Sequence, residues 1–232
     1  MEILSGIEIK NKSLWLKESR TLIIADFHIG YEEALANSGV LVPRVIFKDI
    51  IKDIKELLKL NPKLVIINGD LKHEFGKISR QEWQDSLEIL DLFLKKSKVI
   101  LIKGNHDTVL EPIAKKKNVK IVNFFITKNI AVLHGHKIFL ECLNKKIKNL
   151  IIAHEHPSIF LREGVKQEKY KCFLLGKYKK KNLIVMPSFM NFPEGANIQK
   201  ERMLSPFLQN IKNFKVFVVR GEVYDFGKIK DI

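Results

Sequence analysis

Five short apolar runs in this chain each lead into a cluster of Asp, Asn or His, and that recurrence limits what the chain can fold into. Leu22-Ile23-Ile24-Ala25 leads into Asp26-Phe27-His28, Leu64-Val65-Ile66-Ile67 into Asn68-Gly69-Asp70, and Val99-Ile100-Leu101-Ile102, after Lys103, into Gly104-Asn105-His106-Asp107. Further on, Ala131-Val132-Leu133 ends in His134-Gly135-His136, and Leu150-Ile151-Ile152-Ala153 in His154-Glu155-His156. Short apolar runs bounded by polar turns read as buried strands. Polar groups at the ends of such strands gather along one edge of a sheet, where α/β proteins place their sites.

Between the first three runs the spacing turns helical. Ile46, Ile50, Ile54, Leu57 and Leu58 recur every three or four residues among charged neighbours, with Pro43 placed for a first turn and Asn61-Pro62 closing the segment. Ser79 and Glu82 have capping-box spacing ahead of a helix whose inward residues include Trp83, Leu87, Leu90 and Leu94. Tyr31 to Asn37 reads as a short helix, and residues 2 to 19 as two short strands about Lys10-Asn11-Lys12-Ser13. Strand alternating with helix predicts a parallel sheet covered on both faces, its strand ends on one edge. From about residue 119 the runs are closely spaced with little helix between them, which predicts a second, mostly antiparallel sheet packed on the first. The expected fold is α/β, a four-layer αββα sandwich of mixed sheets with flanking helices, in one domain over residues 1–232. Residues 187–206, with Pro187, Pro193, Gly195 and Pro206, form a long stretch of weak periodicity, often a mark of a functional loop.

The 41 Lys and Arg against 26 Asp and Glu give a formal charge of +15. Such a balance either attracts polyanions, nucleic acid first among them, or serves solubility alone. The runs Lys115-Lys116-Lys117, Lys145-Lys146 and Lys179-Lys180-Lys181 read as solvated turns. No signal-peptide pattern opens the chain and no apolar run approaches the ~18 residues of a membrane span, so a soluble, cytoplasmic protein with no membrane partner is expected. Cys142 and Cys172 stand too far apart for a CxxC knuckle and are expected as reduced thiols.

All seven histidines, His28, His73, His106, His134, His136, His154 and His156, stand at or just after the ends of predicted strands. Their companions are Asp and Asn rather than Cys, a donor set for hard-to-borderline divalent metals: Mn²⁺ first, with Fe²⁺, Zn²⁺ and Ni²⁺ as alternatives. Asp26 with His28, and His154 with His156, are i, i+2 pairs, so an extended backbone would aim both members of each pair into one cavity.

The order Asp-x-His, Gly-Asp, Gly-Asn-His-Asp, His-Gly, His-x-His resembles the calcineurin-like metallophosphoesterases from residue 22 to about 157. Ala25-Asp26-Phe27-His28-Ile29-Gly30, Asp70-Leu71-Lys72-His73 and Leu204-Ser205-Pro206-Phe207 bring it nearest to small archaeal and bacterial phosphoesterases, the DNA-ligase-associated type among them. Carried over residue by residue, the resemblance implies two divalent metal ions. Asp26, His28 and His156 would hold one, Asn105, His134 and His154 the other, and Asp70 would bridge them. A metal-activated hydroxide would attack phosphorus, with His106 stabilising charge or protonating the leaving group and Asp107 orienting the His106 ring. His73 stands where many relatives have Asp and reads as a substrate contact, a partner of a carboxylate behind the ligands, or a loop residue. Ala153 replaces a usual Gly, and His136 is left over from the ligand set.

Other chemistries lack their residues. His154-Glu155 and His73-Glu74 are followed at the second His position of H-E-x-x-H by Ser158 and Lys77, and there is neither a P-C-x-x-C half-site nor a G-x-x-x-x-G-K-[ST] loop. The expected function is a metal-dependent phosphoester hydrolase, read as a phosphodiesterase acting on nucleic acids or nucleotides. The alternatives are a phosphomonoesterase on a small metabolite and a non-catalytic nucleic-acid-binding module. A module of the last kind would have lost a ligand position, and all seven are present.

Overall fold

Strands that are apolar on both faces need cover on both, and this chain supplies much of it by stacking two sheets. The computed structural model describes residues 1–40, 45–164, 166–191 and 195–232, so Pro43 and Pro193 lie outside the described residues. The first sheet runs in chain order: β1 (Glu2–Leu4), β2 (Ile7–Lys10), β3 (Ser13–Leu16), β4 (Thr21–Ile24), β5 (Leu64–Asn68), β6 (Lys98–Ile102) and β7 (Lys120–Val122). Its first four strands are antiparallel and its last four parallel. Helices α1 (Tyr31–Asn37), α2 (Ile46–Leu58), α3 (Arg80–Leu94) and α4 (Glu111–Lys117) belong to the crossovers.

The second sheet contains β8 (Phe124–Thr127), β9 (Ile130–Leu133), β10 (Asn149–Ile152), β12 (Lys166–Tyr178), β13 (Lys181–Val185), β14 (Lys215–Arg220) and β15 (Glu222–Lys228), while β11 (Ser158–Glu163) pairs with β12 off the main path. Only β9 with β10 and β10 with β13 are parallel among these pairs. Between the sheets Ile9, Leu14, Ile23, Ile66 and Ile102 meet Val132, Ile151, Phe173, Ile184 and Met186. Each fully buried side chain of this kind contributes roughly 1.5–3 kcal/mol of transfer free energy.

The helices cover only the outer face of the first sheet, where Ile50, Ile54, Leu90, Phe93 and Ile113 pack on Leu22, Val65 and Leu101. On the outer face of the second sheet, the described residues form short 3₁₀ turns and coil, with Cys142, Ile198, Met203, Phe207 and Phe214 packed on the strands. That fourth layer is apolar, as a sandwich requires, without being α-helical. Residues 2–19 hold three strands, since Gly6 at φ 74° turns the chain before β2. The helix α4 carries Pro112 in its first turn and stops at left-handed Asn118. The capping box at Ser79 and Glu82 is formed, but the most deeply buried face of α3 is Glu82, Ser86, Ile89, Leu90 and Phe93. Trp83, Leu87 and Leu94 are only partly buried, because two polar residues share the inward stripe.

Candidate metal centre

Parallel register delivers the first half of the site. Ile24 pairs with Ile67 and Ile67 with Leu101, so the residues that follow β4, β5 and β6 emerge side by side. In the second sheet Ile151 pairs with Val132 and Ile152 with Val185, which places the segments after β9, β10 and β13 together. The core between the sheets holds these two edges against each other.

The expected extended geometry at the i, i+2 pairs is not found. Asp26 (φ 54°), His28 (46°), Asp70 (48°), His154 (74°) and His156 (47°) all lie in the left-handed region. Non-glycine residues are uncommon there, and clusters of them mark sites whose shape is imposed by their surroundings. The pairs do converge, but through sharp turns that end each strand instead of through strand alternation. Neighbouring backbone helps to hold the turns: His28 donates its N–H to the Asp70 carbonyl at 3.0 Å, and Asp26 to that of Gly69 at 3.1 Å.

Two trios result, each with its ligand atoms within 4.8 Å of one another: Asp26, His28 and His156, and Asp70, His134 and His154. His28 Nε2 and His156 Nε2 are 3.1 Å apart. Asn105 joins the second trio, its Oδ1 3.0 Å from His134 Nε2. The Asp70 Oδ2 atom faces both, at 3.2 Å from His134 Nε2 and 3.9 Å from His28 Nε2. Glycines make room for this packing: a Cβ on Gly69 would fall 2.1 Å from His134 Nδ1. Buried Asp26 Oδ1 and His28 Nδ1 lack a hydrogen-bond partner within the protein. A compact, largely buried set of carboxylate, amide and imidazole donors, with an Asp26 oxygen that accepts no hydrogen bond and has His134 Nδ1 3.5 Å away, fits divalent cations.

The electrostatics agree with that use. Burial, then the charge of His156, drives the His28 imidazole well below its ordinary range. Burial and His134 bring His154 down to about 4, and the same two causes bring His136 to about 4. Burial also opposes charge on His134, yet the hydrogen bond and charge of Asp70, with Asp26 behind them, raise it to about 9. Asp70 is held below the ordinary carboxylate range despite its burial, by His134 and then His28. Imidazoles held toward the neutral form at His28 and His154, with Asp70 held toward the ionised one, are in the state that metal binding needs.

His106 is held at three points. Its N–H donates to Asp70 Oδ1 at 2.9 Å, its carbonyl accepts from Lys72 Nζ at 3.1 Å, and its ring Nδ1 lies 2.5 Å from the His73 carbonyl. The ring stands 4.9 Å from that of His28 and 3.9 Å from that of Phe75. Asp107 does not orient this ring. Its Oδ2 instead accepts from Gly104 N at 3.0 Å, bracing the turn after β6, and burial with the nearby Asp70 charge raises its pKa to about 7. The reason is local: residues 107–109 form a 3₁₀ turn, which sends Asp107 back into the protein.

His73 lies 5.6 Å from the His28 ring and 5.4 Å from that of His106, and the three form a further group of facing nitrogens. His136 sits beside His134, with ring centroids 5.3 Å apart. Several supports were not read from the sequence. Lys72 is fully buried beneath His106, and Glu82, seen there only as a helix cap, also accepts from the N–H groups of His73 and Glu74 at 2.9 and 2.7 Å. Phe189 and Ser205 brace the site from the other side: Phe189 N–H donates to the Ala25 carbonyl at 2.9 Å, and Ser205 Oγ to that of Gly135 at 2.7 Å.

The sequence pattern described as calcineurin-like phosphoesterase matches residues 19–221. The chain belongs to that family. Among solved structures, this family member is similar to the Pseudomonas putida nuclease MPE, at 19% identity over 93% of this chain and 92% of the other, with a TM-score of 0.68. It also matches Yfce, a phosphoesterase from E. coli, at 12% identity over 91% and 93% of the two chains and a TM-score of 0.42. A single mutant of Vps29 from Entamoeba histolytica matches at 15% identity over 89% and 99%, with a TM-score of 0.39. The P. putida match carries the sandwich fold across nearly all of this phosphoesterase chain. A cavity of about 780 Å³, lined by Gly6, Leu16, Thr127, Asn149 and Asn182 among others, opens at the opposite edge of the sandwich, and no histidine lines it.

Proposed function

We propose that this phosphoesterase is a divalent-metal-dependent phosphodiesterase acting on nucleic acid or nucleotides. The observation that carries the reading is the position of Asp70 Oδ2, which faces His28 of one trio and His134 of the other. In this reading Asp26, His28 and His156 would hold one cation, Asn105, His134 and His154 a second, and Asp70 would serve both. Cations held there supply Lewis acidity toward a phosphoryl oxygen and lower the pKa of water.

The protein's own groups do the rest. A carbonyl only accepts, so the His106 nitrogen facing His73 O carries a proton in either charge state. Nε2 is then the nitrogen that exchanges a proton with the leaving oxygen. His73, beside both His28 and His106, contacts the substrate phosphate. The charge of +15 favours a polyanionic substrate, and the P. putida nuclease is built on the same fold. Two free, buried cysteines suit a reducing, cytoplasmic setting.

The test is turnover by purified protein with Mn²⁺ on an aryl phosphodiester, an aryl phosphomonoester, a cyclic nucleotide and single-stranded DNA, with a chelator and Asp70→Asn as controls. Chelator-sensitive hydrolysis of the diesters, lost in Asp70→Asn, is expected. Hydrolysis of the monoester alone would replace this reading with that of a phosphomonoesterase, and metal-independent turnover would remove it.

A further inference from the structure

Lysines that are scattered in the sequence converge beside the ligand cluster. Strand alternation puts Lys169 and Lys171 on the same face of β12 as Phe173, the face turned to the first sheet. Leu174 pairs with Val185, so residues before 174 run past the end of β13 toward the site edge. Lys12 reaches the same edge from the other sheet, because Leu14 pairs with Ile23 and the turn before β3 therefore stands beside the end of β4. With Asn11, Asp53, Tyr170 and Asn191 these three lysines line a groove of about 510 Å³.

The groove is positively charged and partly built. Lys12 is buried, pairs with Asp53 at 2.9 Å, hydrogen-bonds to Asn191 and lies 4.8 Å from the Phe189 ring centroid. Lys171 turns its amine inward to the hydroxyl of fully buried Ser188, next to the Phe189 that bonds to Ala25. Among the described residues no carboxylate forms an ion pair with Lys169 or Lys171. Burial, then repulsion from Lys12, lowers the Lys171 amine to about 7 against the pull of Asp26, and Lys169 adds to the repulsion. An anion in the groove would relieve that repulsion and give the amine a charged partner.

We infer that the groove of Lys12, Lys169 and Lys171 is a subsite for a second phosphate of the substrate, away from the one being cleaved. This rests on the phosphodiesterase reading, and it narrows the substrate to a strand carrying several phosphates. The basic runs of the sequence do not share in it. Lys179 and Lys180 are exposed in the turn between β12 and β13, at the opposite edge of the sheet.

The experiment compares kcat/KM, with Mn²⁺ at low salt, for deoxydinucleotides with and without an added 5′- or 3′-terminal phosphate. The proteins are wild type, Lys169→Gln/Lys171→Gln, and Lys179→Gln/Lys180→Gln, which removes two lysines from the far edge. In wild type, one terminal phosphate should raise kcat/KM about 10-fold, in keeping with a charge-assisted contact. The Lys169/Lys171 variant should lose most of that ratio and the far-edge variant should keep it. A ratio near one in wild type, or equal losses in both variants, would overturn the subsite. If wild type hydrolyses no diester at all, the phosphodiesterase reading fails separately. The subsite is then read from fluorescence anisotropy of a labelled oligothymidylate against salt. A log-log slope shallower by roughly 0.7 per lost phosphate contact in the Lys169/Lys171 variant supports it, and an unchanged slope overturns it.

Discussion

A methyl group at Gly104 would lie 2.0 Å from Asp70 Oδ1 and 2.5 Å from the Asp70 backbone nitrogen. The turn after β6 thus touches Asp70, whose Oδ2 faces ligands of both trios, and no side chain fits there without moving it. Gly104→Ala should fold, bind metal with reduced stoichiometry and lose activity by ~10²-fold or more, the cost expected when a ligand shifts by about an ångström. Elemental analysis beside turnover checks it, and full metal content with full activity would contradict this account of Asp70.

His134 carries the proton that a cation must displace. After chelation its pKa near 9 means that metal binding at pH 7.5 releases about one proton from this ring. Calorimetric titration in buffers of different ionisation enthalpy measures the release, and an enthalpy independent of buffer would refute it. The sign for stability follows from the same shift. A histidine raised in the folded state stabilises fully below its ordinary 6.5 and loses that contribution as pH rises through about 9. His154 and His136, lowered to about 4, act differently, contributing nothing above 6.5 and destabilising the fold as pH falls toward 4. The His134 contribution, read as the difference in melting temperature between chelated wild type and chelated His134→Gln, should therefore shrink between pH 6.5 and 9, and a difference independent of pH would refute it.

His106→Ala separates proton transfer from ligation. Metal content should be retained while kcat falls ~10²- to 10⁴-fold on an alkoxide-leaving nucleic-acid ester, and much less on a nitrophenyl diester, whose leaving group needs little protonation. Equal losses on both substrates, or a lost metal, would assign His106 another role.

Glu82 joins helix and site in one carboxylate, accepting from Ser79 N at 2.8 Å as well as from His73 and Glu74. Ser79→Ala removes only the cap and should cost about 1 kcal/mol. Glu82→Ala also frees two loop N–H groups and should cost about 3 kcal/mol. Urea unfolding distinguishes the two, and equal costs would show that the loop bonds contribute nothing.

Cys142 is buried, and burial followed by the Glu141 charge pushes its thiol up to about 11, while burial alone raises Cys172 further. At pH 8 about one Cys142 thiol in a thousand is thiolate, so neither cysteine should react with an aromatic disulfide reagent until the protein unfolds. Rapid labelling of the native protein would contradict this burial.

The apolar runs and their terminal clusters made the sheet order of β4, β5 and β6 and the convergence of the ligands legible, because buried strands impose continuous hydrophobicity. The backbone at those ends was not legible. Left-handed Asp26 and His28 follow from contacts with the Asp70 turn, and no local pattern encodes them. Lys72 escaped for a related reason: a lysine beside a motif reads as exposed, and its burial depends on the His106 carbonyl it meets. The groove of Lys12, Lys169 and Lys171 combines residues more than 150 positions apart, whereas the conspicuous lysine runs fell at the far edge.

The five left-handed residues at the strand ends set function against ease of folding. Conformations of this kind cost of order 1–3 kcal/mol each for a residue with a side chain, and less for Asn or Gly. Replacing His156 or His28 by glycine should therefore relax the backbone even as it removes an imidazole. A descendant of this chain released from metal chemistry would drift toward asparagine and glycine at positions 26, 28, 70, 154 and 156, and would become the sturdier protein for it.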